Sequence, residues 1–282
     1  MLCYGKREPE PLDEPGRTQL RNMLAGTGGE MDLDRAALTL ATIEFPGLEM
    51  DNCLGALDSF AREIGSRARN GNGRDYVDAV NYFLFQEMGL RGNEEDYYDP
   101  HNSCLNEVIA RRVGIPITLS VLYMEISRRL TRPVFGIGLP GHFVVQYNDG
   151  YYSTFIDPFH GGELLSADQC YDRAQMAIGD PRVLAPVDKK QILFRMINNL
   201  RGIYFSRRRY TKALQVMDLL IDISPRLGEL RKQRAQLYLQ MQEMRKARAD
   251  LEEYLRLSPD AEDKDAMEAQ LKNVVRWLAS LN

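Results

Sequence analysis

The C-terminal third of the chain repeats itself, and this constrains the fold more than any other feature. "NLRGIYFSRRRYTKALQVMDLLIDISP" overlies "QRAQLYLQMQEMRKARADLEEYLRLSP" at an offset of 34 residues. Tyr204 falls on Tyr238, Ala213 on Ala247, Ser224 on Ser258 and Pro225 on Pro259, while Ile223 falls on Leu257. A period of this length marks a supersecondary unit that cannot bury its apolar face alone and stacks on its neighbours. The alanines let two helices approach closely, and each proline ends the second helix of its unit. A last helical stretch, about Glu262–Leu281, caps the pair.

A 34-residue period with Tyr, Ala and Pro at these places resembles the tetratricopeptide repeat. The rest of the chain follows another pattern. Residues 1–30 are rich in Pro, Gly and charge and read as a disordered arm. Residues 31–188 read as one domain and residues 189–282 as two repeats plus a capping helix. In the first domain three helical segments come first, among them "MDNCLGALDSFAREI" with Leu54, Leu57, Phe60, Ala61 and Ile64 on one face. Two more follow within "DPHNSCLNEVIARRVGIPITLS", which Asn102 or Ser103 can cap and "GIP" breaks. The second of these carries an apolar stripe through Leu119, Leu122, Tyr123, Ile126 and Leu130. The period then shortens. "RPVFGIGL", "HFVVQY" and "YYSTFID" are β-rich, and "NDG" at Asn148–Gly150 predicts a hairpin turn. Helices followed by a small antiparallel sheet make an α+β domain.

Composition narrows the function. The net charge is −4 and the pI about 5.6, which argues against a general nucleic-acid binder, because phosphate binding needs a concentrated positive surface. Cys3, Cys53, Cys104 and Cys170 are far apart and form no C-x-x-C pair, so neither a zinc ribbon nor a disulfide scaffold is indicated. No run approaches the ~20 apolar residues of a membrane span. No signal-peptide stretch opens the sequence. A cytoplasmic protein without membrane association is expected. No nucleotide-binding fingerprint occurs, and no cofactor is implied.

Cys104 stands at a helix start, where unpaired N–H groups and the positive dipole end favour a thiolate. His142 opens one strand and Asp157 closes the next. Across an antiparallel hairpin the two can lie side by side, the acid holding the imidazole tautomer. Cys104, His142 and Asp157 are therefore a candidate catalytic triad. The plainer reading is a packed thiol, since Cys104 shares a helical face with Val108, and a histidine that is structural. His101, Cys104, His142, Asp157 and His160 include good metal ligands, but no second compact pair supports His101-x-x-Cys104, and no metal site is assigned.

A cysteine at a helix start, "GIP" ten residues on, a strand opening with His and a strand ending in "DP" resemble the transglutaminase-like core, a papain-like fold. The stretches "GLRGNEEDYYDPHNSCLNEVIARRVGIPITLSVLYMEISRRL", "GIGLPGHFVVQY" and "FIDPFHGGELLS", followed by two tetratricopeptide units, resemble the bacterial SirB family. The resemblance implies a transglutaminase-like domain coupled to a repeat segment, with Cys104, His142 and Asp157 on the triad positions. Its biochemical activity is not implied.

From Arg195 to Arg256 fourteen Lys/Arg face seven Asp/Glu. The excess reads as a solvated helical face or as a groove for an acidic peptide or chain terminus. Asn198, Arg231, Lys232 and Gln236 are the candidate partner-binding residues. Two functions follow: a protein-interaction or regulatory module with a peptide or protein partner, and, as the alternative, a cysteine-dependent acyl-transfer enzyme.

Overall fold

The computed structural model describes residues 14–25, 31–68 and 71–281. They divide into two compact units: residues 31–199 form one, and residues 14–25 with 200–281 form the other. Helix α1 (Glu14–Ala25), the first element among the described residues, belongs to the second unit.

The first unit begins with α2 (Leu33–Ala41), α3 (Met50–Arg67) and α4 (Gly73–Asn81), the last running into a π-helical turn at Tyr82–Glu87. Helix α4 starts with a reciprocal cap. The Asn72 side chain accepts from the Arg74 and Asp75 N–H groups, and the Asp75 carboxylate accepts from the Asn72 N–H. A short parallel bridge joins β1 (Arg91–Gly92) to β2 (Val113–Gly114) around a 3-10 turn, Pro100–Ser103, and α5 (Leu105–Arg111). Cys104 is the N-cap of α5, one position before its first turn. Neither Asn102 nor Ser103 caps it, because the Asn102 amide turns to the preceding loop instead.

Helix α6 (Pro116–Arg129) starts with a proline, whose fixed φ suits the first helical turn. The sequence stripe predicted one buried face. Pro116, Ile117, Thr118, Ser120 and Val121 are buried as well as Leu119, Leu122, Tyr123 and Ile126. The reason is position: α6 packs on α2, α3 and α5 and also on strands β3 (Val134–Ile137) and β4 (Val144–Asn148). At its end Arg129 reaches Asp34 of α2 at 2.7 Å and Asp58 of α3 at 2.6 Å, tying three helices together.

The sheet continues through β5 (Ser153–Asp157) and β6 (Glu163–Leu165) to α7 (Ala167–Ala174) and β7 (Pro186–Val187), with strand order β6-β5-β4-β3-β7, all antiparallel. The β4–β5 hairpin forms at the expected turn. Gly150 has φ +86°, and Asp149 Oδ1 accepts from the Tyr151 and Tyr152 N–H groups. Helix α8 (Lys189–Ser206) crosses the division between units at Asn199.

The second unit holds α9 (Tyr210–Ile223), α10 (Gly228–Gln240), α11 (Met244–Leu257) and α12 (Lys264–Ala279). The 34-residue repeat is geometric as well as sequential. Both α9 and α11 end on a serine with φ −129° and ψ 63°, Ser224 and Ser258. Arg208 and Gln242, one period apart, both take left-handed φ, 56° and 61°. Ala213 and Ala247 have no exposed surface, as close helix packing requires.

Residues 14–25, read from the sequence as part of a disordered arm, correct that reading; residues 1–13 and 26–30 lie outside the described residues. Helix α1 packs on α9, Leu20 is fully buried, and Arg17 pairs with Asp222 at 2.8 Å and Asp218 at 3.4 Å. An amphipathic helix with few apolar residues was hidden by the surrounding Pro and Gly. Leu20→Ala should cost about 2–5 kcal/mol, the range for a buried leucine that leaves a cavity. Urea denaturation of the full chain checks this; an unchanged midpoint would mean that α1 contributes nothing to the second unit.

Candidate functional site

Antiparallel pairing builds the site. Ile156 faces Val145 in the β4–β5 ladder, so the end of β5 lies beside the start of β4. His142 stands two residues before β4, after a turn in which Gly141 takes φ +70° and the His142 N–H donates to the Leu139 carbonyl. His142 Nε2 lies 2.7 Å from Asp157 Oδ2. The expected pairing of His142 with Asp157 across the hairpin is therefore present.

Asp157 has no exposed surface. Its Oδ1 accepts from the N–H groups of Phe159 (3.0 Å) and His160 (3.3 Å). Its Oδ2 also meets His160 Nδ1 at 2.9 Å and the Arg173 guanidinium of α7, which reaches on to Glu163. Burial by itself would raise the Asp157 carboxyl; the hydrogen bonds and charges of His142 and then His160 outweigh it and bring the carboxyl down to about 2. An ionised carboxylate cannot donate, so the proton between the two residues sits on His142 Nε2, and in the neutral ring Nδ1 is the acceptor nitrogen. His160 Nδ1, also 2.7 Å from Arg173, serves either the carboxylate as a donor or the guanidinium as an acceptor.

Cys104 also has no exposed surface, and its thiol donates to the Pro100 carbonyl at 3.5 Å. Of the five residues considered for a metal, only His142, Asp157 and His160 bring donor atoms within 4.8 Å of one another. The Arg173 guanidinium already binds the carboxylate oxygen that both imidazoles approach, so a cation there would face a fixed positive charge. His101 is elsewhere, its ring 5.2 Å from Phe45.

Three side chains of the site lie outside the candidate triad. Arg173 and His160 complete the shell of Asp157. Arg195 of α8 donates to the carbonyls of Leu139 (2.8 Å) and His142 (2.6 Å) and stacks over Phe143, so it holds the loop that presents the histidine. The sequence offered Arg195 only as one cation in a basic stretch. An arginine within a helix leaves no periodic signal of a target more than fifty residues away.

The candidate partner-binding residues are largely engaged within the chain. Arg231 meets Asp250 at 3.2 Å, and Lys232 meets Glu229 at 2.6 Å and Asp263 at 2.9 Å. Arg234 bridges Asp250 and Asp218. Asn198 donates to the Phe194 carbonyl in the half of α8 that belongs to the first unit, and Gln236 is exposed. The basic excess is thus partly neutralised by acids drawn from neighbouring helices.

A helical and antiparallel domain that places His142 against Asp157, followed by 34-residue helical pairs, defines the class. The chain belongs to the transglutaminase-like superfamily, which residues 51–198 match, and residues 200–272 match the tetratricopeptide repeat. It is similar to a UPF0162 protein of Xylella fastidiosa (strain 9a5c), 34% identical over 264 residues that cover 89% of this chain and 93% of that one. A UPF0162 protein of Vibrio cholerae is 25% identical over 249 residues, covering 86% and 90%. Human F-box only protein 21 is 30% identical over 180 residues, 58% of this chain and 28% of that protein. No solved structure matches.

The lowered carboxyl has a pH consequence. A folded value of about 2 against an ordinary 3.8 stabilises the fold in full above about pH 4, and the contribution is lost as pH falls toward 2. It amounts to about 2 kcal/mol. Asp157→Asn should be less stable at pH 7 and should lose less stability than the wild type between pH 4 and 2.5. Urea midpoints at these pH values test this; parallel acid limbs in the two proteins would contradict it.

Proposed function

We propose that the chain is a protein-interaction and regulatory module of the SirB kind, with a transglutaminase-like recognition unit and a tetratricopeptide surface for a protein or peptide partner. The observation that carries this reading is the complete burial of Cys104, whose thiol donates to the Pro100 carbonyl. A nucleophilic sulfur needs a carbonyl within about 3–3.5 Å, and a thiolate is disfavoured in apolar surroundings. The relatives support modularity. A stretch similar to part of this chain recurs within F-box only protein 21, where it makes up 28% of the length. Tetratricopeptide repeats use their stacked helices as binding surfaces. Because Arg231 and Lys232 are paired internally, an acidic partner at the repeats would have to compete with Asp250, Glu229 and Asp263. No described helix is long and apolar enough to cross a membrane.

A second reading has one specific observation in its favour. With Asp157 on Nε2, His142 keeps Nδ1 for a thiol, as a Cys104–His142–Asp157 triad requires. In acyl transfer the Cys104 sulfur would attack a carbonyl carbon, its proton passing to His142 Nδ1 and from there to the leaving group, with Asp157 holding the imidazolium.

Iodoacetamide separates the two. On the native chain at pH 7, Cys104 should remain unmodified while the half-buried Cys53 reacts slowly, and Cys104 should become accessible only on unfolding. Peptide mapping by mass spectrometry reads each site. Rapid native alkylation of Cys104 well below the ordinary thiol range of about 8.5 would establish the enzyme reading instead.

A further inference from the structure

We propose that the loop Asn93–Asp99, with the ring of Phe159, is a docking ledge for an arginine-bearing segment of a protein partner. This deepens the interaction reading, on which it rests, by naming the chemistry of the partner beside the His142–Asp157 pair.

The ledge is aromatic and exposed. Tyr98 is 64% exposed and Tyr97 is 37% exposed. Their rings meet edge to face at 5.3 Å. Tyr97 meets Phe159 at 6.1 Å, and Phe159 meets His142 at 6.2 Å and His160 at 5.1 Å. A continuous row of rings therefore runs from the surface to the candidate site. Large exposed aromatics gathered in one place mark interaction surfaces more often than single exposed residues do.

The loop is held in shape rather than left free. Asn102, which has no exposed surface, spends its side chain on it. Its Nδ2 donates to the Asp96 carbonyl (2.8 Å) and the Tyr97 carbonyl (3.3 Å), and its Oδ1 accepts from Asn93 at 3.0 Å. The Asp96 N–H donates to Asn93 Oδ1, and the Asp99 N–H to the Asp96 carbonyl. A buried amide satisfied by loop groups fixes the two tyrosines in the positions that expose them, which lowers the ordering cost of binding.

Charge selects the occupant. The loop reads "NEEDYYD", four acids and no base. Asp99 is paired with Arg111 at 2.9 Å, but Glu94 and Glu95 are exposed, two to four residues before the tyrosines in the same loop. Aromatic faces next to carboxylates suit a cation, and a guanidinium best, since it stacks on a ring and bonds a carboxylate in the same pose. Tyr98 is the more exposed of the two rings and is the open seat.

Fluorescence anisotropy on the full chain tests the ledge, with a labelled Gly-Arg-Gly-Arg-Gly peptide and its citrulline counterpart, which keeps the shape and lacks the charge. The arginine peptide should bind about tenfold more tightly in low salt. Tyr98→Ala should weaken it about threefold or more, and so should Glu94→Gln with Glu95→Gln. Glu252→Gln with Glu253→Gln, a neutralisation of equal size on α11, should leave binding unchanged, as should Cys104→Ala. Equal binding of the two peptides, no binding of either, or wild-type binding by the Tyr98 and Glu94/Glu95 variants would overturn the proposal. The readout is equilibrium binding at residues outside the Cys104–His142–Asp157 set, so its outcome is separate from that of Cys104 alkylation.

Discussion

Asp157 is a carboxylate with no access to water, and a buried charge persists only where donors replace its hydration. Two backbone N–H groups, the His142 imidazole and the Arg173 guanidinium do so here, and His160 Nδ1 lies 2.9 Å from the same oxygen. They come from the approach to β4, the turn after β5 and helix α7. One ionised side chain thus sets the relative positions of three segments of the first unit. Removing any donor leaves the charge under-solvated, while removing the charge leaves two histidines and an arginine without their common acceptor. The site is therefore a structural knot whatever chemistry is attached to it.

That knot has the arrangement a cysteine enzyme needs for its acid and base. Cys104 itself is buried, and its thiol donates to the Pro100 carbonyl. A fold does not by itself carry an activity. Here the parts that would orient a triad are kept, Arg195 anchors the loop that bears His142, and the exposed chemistry lies in the aromatic loop beside them. The second unit follows the same economy. Arg17, Asp218, Arg234, Asp250 and Arg231 form a chain of ion pairs through α1, α9, α10 and α11, so much of its charge works within the unit.

Much of this was legible in the sequence. The repeat could be read because the same contacts recur every 34 residues and must use similar side chains, as Ala213 and Ala247 do. The helices and the hairpin could be read from periodicity and from "NDG". The closeness of His142 and Asp157 followed from strand order. Other features leave no local trace. Arg173, Arg195 and the Asn102 amide act on targets set by tertiary packing, and a single polar residue has no period. Asn102 looked like a helix cap because capping and loop bracing use the same amide. The burial of Cys104 was not decidable from one apolar neighbour, Val108. Helix α1 was missed because Leu20 and Leu24 are its main buried apolar residues and the flanking Pro and Gly dominate its composition.

The central claim is that an ionised Asp157 fixes the imidazole of His142. Nitrogen-15 chemical shifts of the histidine rings report this directly, since protonated and bare ring nitrogens are well separated. In its neutral form the His142 ring should show a protonated Nε2 and an unprotonated Nδ1, in slow proton exchange with water. A His142 that carries its proton on Nδ1, or that averages between tautomers, would contradict the account.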